Sequence, residues 1–536
     1  MPVRHARAYL DMIKALRAFF DQPQTPEGAM AMVRDRIARR EELFLTMARE
    51  RFFAPRSPYR PLLALAQCAY SDLEAMVRQG GVETTLQALR DSGVYLSYEE
   101  FKFGTEVSRN GRTFRFAPTQ FDNYRGATVM AARSGGTRST GTWMPLPIDH
   151  LTLVQTTEWG ITLKMLSDPD APILIWQMGF PSGAGSGAWF NLAKLRRPPV
   201  RWFSLTPIPR GIQGRPYWGF RTARWMARRA GIRAPGPDFT PVRDVGKVLD
   251  AVQALLVSAG RCVIRTTPSC AVRLATEAGQ RGRSLRGVLF LTTGEPLTPA
   301  KAEEIHRLDA RVFCHYVITE VGGSVGAPCG NPVETDEMHF RADALAMISS
   351  PHQIGDLTVD ALMLTSLLPT APKLLLNVEV DDFAHVQERP CGCLWEELGC
   401  RWHLSDVRSL SKLTGEGTTL LGSNCVHIIE RVLPEAFGGS SVDYQLVEAE
   451  DEAYLTRVYL LVSPRVGPID SRAVLRKFAE ALDATSMRPL GGRRTIWEQA
   501  QSIRVIRRDP ITTGVGKLLP FHTLGAAERV DGWRTQ

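Results

Sequence analysis

The start of the chain carries apolar residues at helical spacing. Between charged positions, apolar side chains recur at Met32, Val33, Ile37, Leu43, Phe44 and Met47. Residues three or four positions apart share one face of a helix, so this pattern predicts helices that pack one face on a core. The pattern breaks around Ser57-Pro58-Tyr59 and resumes at Leu73. We therefore expect a mainly helical portion that ends at about residue 100.

The middle of the chain alternates between helical and strand-like segments. A helical stretch from Val245 to Leu256 leads to a short apolar run at Cys262 to Ile264. Further runs lie at Val288 to Leu291 and at Val312 to Cys314, with a helix-like segment between them. This rhythm predicts parallel strands joined by crossover helices. Ligands of such sheets bind at the carboxyl ends of the strands.

The last part of the chain repeats the mixture on a smaller scale. Strand-like runs at Val458 to Val462 and Ile503 to Ile506 flank a helical pattern through Phe478. We expect an α/β fold with a large domain over residues 1–405, which combines the helical start with parallel-rich sheets. A small α+β domain would follow over residues 406–536.

Composition supports an ordinary globular protein. Of the 536 residues, 44% are hydrophobic and 23% are charged, and no apolar run is long enough to span a bilayer. The net charge of +9 is dispersed in short clusters, which favours attraction for anionic ligands over nucleic-acid binding. Nine irregularly spaced cysteines and the lack of a secretory pattern at the start predict a cytoplasmic protein without a disulfide framework.

A Gly/Ser/Thr-rich segment is the first candidate for chemistry. It reads Ser134-Gly135-Gly136-Thr137-Arg138-Ser139-Thr140-Gly141-Thr142. Glycines allow close backbone approach to a phosphate, and hydroxyls can donate hydrogen bonds to its oxygens. The segment lacks the Gly-Lys-Ser/Thr ending of a P-loop NTPase. Similar clusters also form ordinary turns, so this segment alone does not decide between the two.

Polar turns follow two of the predicted strands. Thr292-Thr293-Gly294-Glu295-Pro296 comes after the run that ends at Leu291, and His315-Tyr316-Val317-Ile318-Thr319-Glu320 comes after the next run. The second turn offers an aromatic face for a base, a hydroxyl for phosphate and a carboxylate for Mg²⁺. Routine strand-to-helix connections would explain each turn separately.

Two later segments add a carboxylate and a cation. Val378-Glu379-Val380-Asp381-Asp382 follows an apolar run, and a carboxylate there can accept hydrogen bonds from both ribose hydroxyls. Near the end, Thr513-Gly514-Val515-Gly516-Lys517 places a lysine in a glycine-rich loop that could carry its charge into a site. A structural turn and a surface lysine are the plain alternatives.

Taken in order, these five segments resemble the core motifs of the adenylate-forming enzyme superfamily. The resemblance runs from about Ser57 to Leu519. The chain is most similar to the phenylacetate-CoA ligase and acyl-protein synthetase branch, at Ser57-Pro58-Tyr59 and at Leu364-Thr365-Ser366-Leu367-Leu368-Pro369. The resemblance implies ATP-dependent activation of a carboxylic acid as an acyl-adenylate, with Mg²⁺ as cofactor.

The resemblance also implies roles for individual residues. Those of the phosphate loop are Ser134, Gly135, Gly136, Thr137, Ser139 and Thr140. Glu295 and Tyr316 would border the adenine, Gly294 and Pro296 would belong to the same nucleotide-binding segment as Glu295, and Asp382 would bind the ribose. Thr319 would serve phosphate, Glu320 would ligate Mg²⁺, and Lys517 would bridge the substrate carboxylate and the α-phosphate. The small domain would be mobile about a hinge, at Asp406 or nearer Glu416.

A zinc site is a further implication of the resemblance. The Cys391-Gly392-Cys393 pair is similar to a Cys-x-Cys of this branch, which holds a structural zinc together with an upstream cysteine and histidine. Cys329 and His339 occupy the matching region here, and Cys400 and His403 are competing ligands. Four such ligands suit tetrahedral Zn²⁺. Reduced, uncoordinated thiols remain the alternative.

The second half-reaction remains open between several acceptors. A CoA thiol is the default that the resemblance implies, whereas a protein or carrier thiol and an amine are alternatives. We expect the acid to be apolar or aromatic, because the region that forms the acid pocket in this superfamily contains aromatic residues here. They are Trp176, Phe180, Trp189 and Phe190. An acyl-carrier protein partner and a homodimer are compatible with the family. A different class altogether is a basic nucleotide- or RNA-binding scaffold without chemistry.

Overall fold

The computed structural model describes most of the chain. The described residues are 2–123, 128–133, 143–180, 183–208, 215–294, 296–297, 299–354, 357–409, 412–415, 418–421, 425, 428–439, 443–450, 456–485, 503–511 and 521–523.

Six helices form the start of the chain, as the apolar spacing predicts. They are α1 (Pro2–Asp21), α2 (Pro26–Ala38), α3 (Arg40–Met47), α4 (Arg60–Leu65), α5 (Tyr70–Asp91) and α6 (Tyr98–Phe103). Local chemistry fixes their starts: the Thr25 side chain accepts a hydrogen bond from the backbone of Gly28, and Pro26 occupies the first turn of α2. The predicted break at Ser57-Pro58-Tyr59 lies directly before α4.

The remaining helices lie among and after the strands. They are α7 (Ile148–His150), α8 (Thr157–Leu166), α9 (Gly183–Lys194), α10 (Arg215–Arg229), α11 (Val245–Ala259), α12 (Pro268–Gln280), α13 (Pro299–His306), α14 (Leu394–Glu397), α15 (Leu433–Phe437) and α16 (Ser471–Thr485). A π-helical turn, Leu151–Thr156, joins α7 to α8. Among the described residues, none of the helices combines the length and the apolar character needed to cross a lipid bilayer.

A parallel sheet forms the first half of the fold. Its strands are β5 (Ile173–Gln177), β6 (Arg201–Ser204), β7 (Pro237–Phe239), β8 (Cys262–Thr266), β9 (Val288–Thr293) and β10 (Arg311–Ile318). Every adjacent pair in the order β10-β9-β8-β5-β6-β7 is parallel. The three apolar runs of the sequence are β8, β9 and β10, so the predicted parallel arrangement is confirmed.

The same sheet continues beyond β10 with antiparallel strands, which extend it to twelve strands. These are β11 (Gly323–Pro328), β12 (Met338–Phe340), β13 (Leu345–Ile354), β14 (Leu357–Ser366), β15 (Val378–Glu388) and β16 (Trp402–Ser409). Their order from β10 outwards is β11-β12-β16-β15-β14-β13. The strand β12 has three residues, too few for an apolar pattern to reveal it.

Smaller sheets complete the fold. Two-stranded pairs are formed by β1 (Glu106–Arg109) with β2 (Arg112–Arg115), β3 (Thr128–Arg133) with β4 (Trp143–Pro147), and β17 (Lys412–Gly415) with β18 (Thr418–Leu421). A four-stranded sheet contains β19 (Tyr444–Glu450), β20 (Thr456–Val462), β21 (Ile503–Arg507) and β22 (Phe521–Thr523). The helix α16 packs on this sheet with Val474, Phe478 and Leu482 buried.

The large sheet is covered on both faces. In β5, Ile173 and Ile175 belong to one buried cluster, whereas Leu174 and Trp176 belong to another. Because successive side chains of a strand point to opposite faces, the two clusters lie on opposite sides of the sheet. A third cluster joins the helical start to β13, β14 and β15.

A buried charge network ties the helical start to the sheet. The Asp343 carboxylate is fully buried and accepts hydrogen bonds from Arg36 of α2 at 2.6 Å and from Arg341 at 2.8 Å and 3.0 Å. The same guanidinium groups donate to the backbone carbonyls of Leu153 and Val154. Removing one member would leave buried charge without a counter-charge, which is more costly than losing a surface pair.

We predict that Asp343→Asn lowers the free energy of unfolding by about 3–5 kcal/mol, because two buried guanidinium groups lose the carboxylate that they share. Urea unfolding followed by tryptophan fluorescence measures the change. Asp35→Asn is the matched control, since Asp35 pairs with Arg39 at 3.4 Å on the exposed surface. Equal unfolding midpoints for the two variants would contradict the role of Asp343.

Candidate active site and candidate metal centre

The carboxyl ends of β9 and β10 carry the two predicted polar turns. Thr293 is the last residue of β9, and its hydroxyl donates to the backbone carbonyl of His315 in β10 at 3.0 Å. Gly294 has a φ of 89°, in the left-handed region that favours glycine. The adjacent Pro296 is described, whereas Glu295 lies outside the described residues. Both turns therefore start from one edge of the sheet.

His315 and Tyr316 point to opposite faces of β10. The buried His315 ring places its Nδ1 2.8 Å from a Glu158 carboxylate oxygen and stacks on Trp159. Tyr316 instead donates its hydroxyl hydrogen bond to Asp382 of β15 at 2.6 Å. This contact joins two candidate site residues that lie 66 positions apart in the sequence.

The Tyr316 to Asp382 contact requires a curved sheet. Three strands, β11, β12 and β16, lie between β10 and β15 in the sheet order. A flat sheet with strands about 4.8 Å apart would separate β10 from β15 by roughly 19 Å, much more than a tyrosine side chain spans. The sheet therefore curls between β10 and β15, and this curl brings the two motif residues together.

A bulge in β15 presents the two aspartates. Opposite β14, Ala361 pairs with Phe383 and Met363 with Glu379, so the register shifts between these pairs. Asp381, inside the shifted part, has a φ of 63°. Bulges bend a strand and redirect its side chains. Burial and the negative charges of Asp382, Asp381 and Glu320 raise the pKa of Tyr316 well above its ordinary value. These carboxylates therefore lie close to one phenol.

A lysine from the helical start reaches the same place. Lys102 of α6 forms an ion pair with the Glu320 carboxylate, and the Lys102 side chain is almost fully buried. The helix α6 packs against β15, which carries the two aspartates. Sequence reasoning missed Lys102, because its partner lies 218 positions away and no local pattern distinguishes it from another helical lysine.

The helix that carries Lys102 is held firmly at its start. Ser97 and Glu100 form a reciprocal capping box, which the sequence Ser97-Tyr98-Glu99-Glu100 could have indicated. Arg109 donates two hydrogen bonds to Glu100, at 2.7 Å and 2.9 Å, and its guanidinium lies 3.8 Å from the centre of the Tyr95 ring. Lys102 is thus held by a short and well-anchored helix.

The turn after β10 is also fixed by its neighbours. The Gly322 backbone N–H donates to the Thr319 carbonyl at 2.9 Å, and Gly322 has a φ of 76°. Gln155 donates to the Gly322 carbonyl at 2.6 Å, and an added Cβ on Gly322 would lie 2.7 Å from His150. A larger residue at Gly322 would therefore disturb the turn that carries Thr319 and Glu320.

Several predicted site residues lie outside the described residues. They are Ser134, Gly135, Gly136, Thr137, Ser139, Thr140, Glu295, Glu416 and Lys517. The strands on either side of the phosphate loop are described, and Arg133 at the end of β3 pairs with Trp143 at the start of β4.

Asp406, the first candidate for a hinge, lies within β16 of the large sheet. Its backbone N–H donates to both carboxylate oxygens of Asp336 at 3.1 Å, and its own carboxylate accepts from Arg408 at 2.7 Å. The β17–β18 pair follows, and residues 416–417 lie between these two strands.

Five candidate metal ligands gather at the curled part of the sheet. Cys329 follows β11, His339 lies in β12, Cys391 and Cys393 follow β15, and His403 lies in β16. One ligand atom each from Cys329, His339, Cys391 and His403 lie within 4.8 Å of one another. The Cys393 sulfur is 3.0 Å from His339 Nε2. Cys400, the other competing ligand, instead offers its backbone carbonyl to His339 Nδ1 at 2.7 Å.

The chemistry of this cluster suits zinc. The hydrogen bond of His339 Nδ1 to the Cys400 carbonyl leaves Nε2 facing the sulfurs, as a ligating imidazole requires. Burial lowers the pKa of His403 to about 4, so its ring is neutral at pH 7. The hydrogen bond between Cys329 and Cys393 lowers the pKa of Cys393 and raises the pKa of Cys329, so this pair shares a proton and carries one thiolate. Thiolate and neutral imidazole are the forms that bind Zn²⁺.

Comparison with solved structures identifies the fold. No protein-family model matches the sequence, and no curated protein sequence is significantly similar to it. The crystal structure of 2-hydroxyisobutyryl-CoA ligase in complex with 2-HIB-AMP and CoA is 13% identical, with a TM-score of 0.52, over 93% of this chain and 89% of that chain. The chain therefore has the fold of this CoA ligase.

Other solved structures match less well. The o-succinylbenzoate CoA synthetase from Bacillus subtilis is 13% identical, with a TM-score of 0.42, over 73% of this chain and 68% of that chain. The amide bond synthetase from Marinactinospora thermotolerans is 12% identical, with a TM-score of 0.39, over 74% and 69%.

Proposed function

We propose that the protein is an ATP-dependent carboxylate–AMP ligase that forms an acyl-adenylate and then transfers the acyl group, by default to the thiol of CoA. The observation that carries this proposal is the meeting of Tyr316 and Asp382, with Glu320 nearby, at one edge of a sheet with this fold. The Gly/Ser/Thr segment between β3 and β4 adds the expected phosphate loop to the proposal.

In the proposed first step, a substrate carboxylate oxygen attacks the α-phosphorus of ATP. A new oxygen–phosphorus bond forms, the bond to the bridging oxygen of the β-phosphate breaks, and pyrophosphate leaves with the electron pair. Positioning and charge stabilisation are the main catalytic contributions to such a reaction. A bound Mg²⁺ would neutralise phosphate charge, with Glu320 as its protein ligand.

The chain's own residues would orient the nucleotide and the acid. Asp382 would accept from the ribose hydroxyls while the Tyr316 hydroxyl fixes its carboxylate, and the Tyr316 ring would border the adenine. Thr319 would bind phosphate. Lys517 would donate to the acid and to the α-phosphate, where negative charge develops during the reaction.

For the second step we propose rotation of a small domain about a pivot nearer Glu416 than Asp406. Asp406 belongs to β16, which is paired on both sides within the large sheet, so a pivot there would disturb that pairing. Residue 416 lies between β17 and β18, after the large sheet ends. The four-stranded sheet with α16 would be the moving unit.

We also propose an apolar or aromatic acid as substrate. Of the four aromatic residues that suggested it, Trp189 and Phe190 pack on Phe20 of α1 and belong to the core. Trp176 is fully buried on the other face of the sheet. Phe180 follows β5 on the carboxyl side, so it is the best placed of the four to contact the acid.

Finally, we propose a structural zinc held by Cys329, His339 and Cys391, with either Cys393 or His403 as the fourth ligand. Tetrahedral zinc takes four ligands, and five donors surround the position. The membership in the phenylacetate-CoA ligase branch is proposed on the same grounds, because the Cys-x-Cys pair belongs to the resemblance. The metal would hold segments of the sheet together and take no part in catalysis.

Pyrophosphate exchange tests the function. We expect the wild-type protein to catalyse acid-dependent exchange between ATP and labelled pyrophosphate with one or more members of a panel of aryl, fatty and amino acids. Lys517→Ala should lose this exchange by roughly 10²-fold or more, because the charge at the α-phosphate loses its partner. The variant should still consume a preformed acyl-adenylate.

Lys477→Ala is the matched control, since Lys477 is an exposed lysine on α16. Absence of exchange with every acid, together with salt-sensitive RNA binding, would overturn the ligase proposal in favour of a binding scaffold. Equal loss of both half-reactions in Lys517→Ala would contradict only the role of that lysine. Offering CoA, an acyl-carrier protein or amines to the adenylate identifies the acceptor.

Lys102 offers a second test at the same site. Its ammonium group neutralises Glu320 before a divalent cation arrives, so Mg²⁺ must compete with it. We expect Lys102→Met to lower the Mg²⁺ concentration for half-maximal exchange by about tenfold, a change of about 1.4 kcal/mol in binding free energy. Lys102→Arg keeps the charge and should resemble the wild type. A higher Mg²⁺ requirement in Lys102→Met would mean that Lys102 instead binds the nucleotide phosphates.

Metal analysis tests the zinc proposal. Protein purified from zinc-supplemented cells should contain one zinc per chain by mass spectrometry, and Cys391→Ser and His339→Ala should lose it, because each removes a ligand. Cys68→Ser should keep the zinc, because Cys68 is a half-buried cysteine outside the cluster. Comparison of Cys393→Ser with His403→Ala identifies the fourth ligand. Wild-type protein without zinc would refute the site.

A further inference from the structure

The helix α10 exposes two tryptophans on one side. Trp218 is 59% exposed and Trp225 is 54% exposed, and they lie seven positions apart. Seven residues make about two helical turns, so the two indoles stand on the same face, roughly 10 Å apart along the axis. The opposite face of α10 is already used, because Phe220, Ala223 and Ala227 are buried in the core.

The exposed side of α10 is also strongly basic. The helix contains five arginines and no acidic residue. Arg221 places its guanidinium 4.7 Å from the centre of the Trp218 ring, and Arg229 lies 4.3 Å from that of Trp225. Burial and the positive charges of Arg228 and Arg221 lower the pKa of Arg224.

The positive charge on α10 is not neutralised locally. Within the described part of the chain, Arg221, Arg228 and Arg229 form no ion pair with a carboxylate, in contrast to other exposed arginines such as Arg39, Arg78 and Arg281. A single exposed tryptophan or a single arginine is ordinary on a protein surface. Two indoles and three unpaired arginines on one exposed helix face form a combined apolar and cationic surface.

We propose that this face of α10 docks on an anionic lipid surface. Tryptophan side chains favour the boundary between headgroups and acyl chains, because the ring is apolar and its N–H is polar. Arginines beside them are attracted to anionic headgroups. A helix that keeps its inner face in the protein core and offers indoles and guanidinium groups outward can lie on a membrane without unfolding.

Docking through α10 would bring the candidate active site close to the membrane. Its inner residues Tyr217 and Phe220 contact Phe180, with ring centres 5.7 Å and 5.1 Å apart. Phe180 follows β5 at the carboxyl side of the parallel strands, the side that carries the candidate active site. An apolar acid dissolved in a membrane would then enter near its binding site. This use rests on the proposed function, whereas the docking itself does not.

Co-sedimentation of the full chain with vesicles tests docking without ATP. We expect binding to vesicles of equal parts phosphatidylglycerol and phosphatidylcholine, weaker binding at high salt, and little binding to phosphatidylcholine alone. The variant with Arg221→Gln, Arg228→Gln and Arg229→Gln should bind on the order of 100-fold more weakly, at about fivefold per arginine. The variant with Trp218→Ala and Trp225→Ala should lose at least about tenfold.

Matched controls remove the same groups elsewhere. Arg39→Gln, Arg78→Gln and Arg281→Gln together change the net charge equally, at arginines paired with carboxylates. Trp402→Ala removes a tryptophan that is 41% exposed on β16. Both controls should bind vesicles like the wild type, and retained cooperative unfolding shows that each variant folds.

Three outcomes would overturn the proposal. They are equal binding to anionic and neutral vesicles, equal loss in the α10 variants and their controls, and no vesicle binding by the wild type. Sedimentation velocity distinguishes the other occupants: if the tryptophan variant loses self-association or association with an acidic carrier protein instead, the face is a protein interface and the lipid proposal fails. Loss of exchange activity alone would bear on the proposed function and leave vesicle binding unaffected.

Discussion

The curl of the large sheet between β10 and β15 is the constraint on which the candidate site depends. Tyr316 and Asp382 stand on strands that three others separate, yet the two side chains share a hydrogen bond of 2.6 Å. Register shifts interrupt β10 next to Tyr316 and β15 next to Asp382, and such irregularities bend strands. Without this curvature the segments that carry Tyr316 and Asp382 would lie on separate parts of the surface.

The cysteine and histidine cluster lies in this same curved region. Its members follow or belong to β11, β12, β16 and the turn after β15, which are the segments that connect the two halves of the site. A metal bound there would fix the relative positions of the intervening strands. The proposed zinc would therefore stabilise the bend in the sheet on which the proposed active site depends.

The sequence pattern predicted the strands and turns whose structure depends on residues close together in the chain. The apolar runs at β8 and β9 are buried on both faces, so the sequence shows them clearly, and the polar turn after β9 follows directly. The antiparallel half was not predicted, because β12 has three residues and β15 is interrupted by a bulge. The resemblance of the motifs supplied the candidate site residues, and of these the structure brings Tyr316 and Asp382 into contact.

Contacts between distant segments could not be read from the sequence. In the sequence, Lys102 looks like any other lysine of a helix. Only the fold places it next to Glu320, and no periodic pattern predicts this ion pair. His403 was one of two competing ligands, and only the pairing of β12 with β16 places it opposite His339. Such pairings depend on the register between whole strands. A slip of one residue would turn every side chain of a strand to the other face of the sheet.

The placement of α6 has a consequence for work on shortened versions of this protein. The helical start looks dispensable, since the sheet and its turns begin later in the chain. Yet α6 delivers a cation to the centre of the candidate site, and α2 neutralises a carboxylate buried beneath the sheet. A fragment trimmed to the sheet would lack both of these buried cations, so the segment from α2 to α6 belongs to the minimal folding unit.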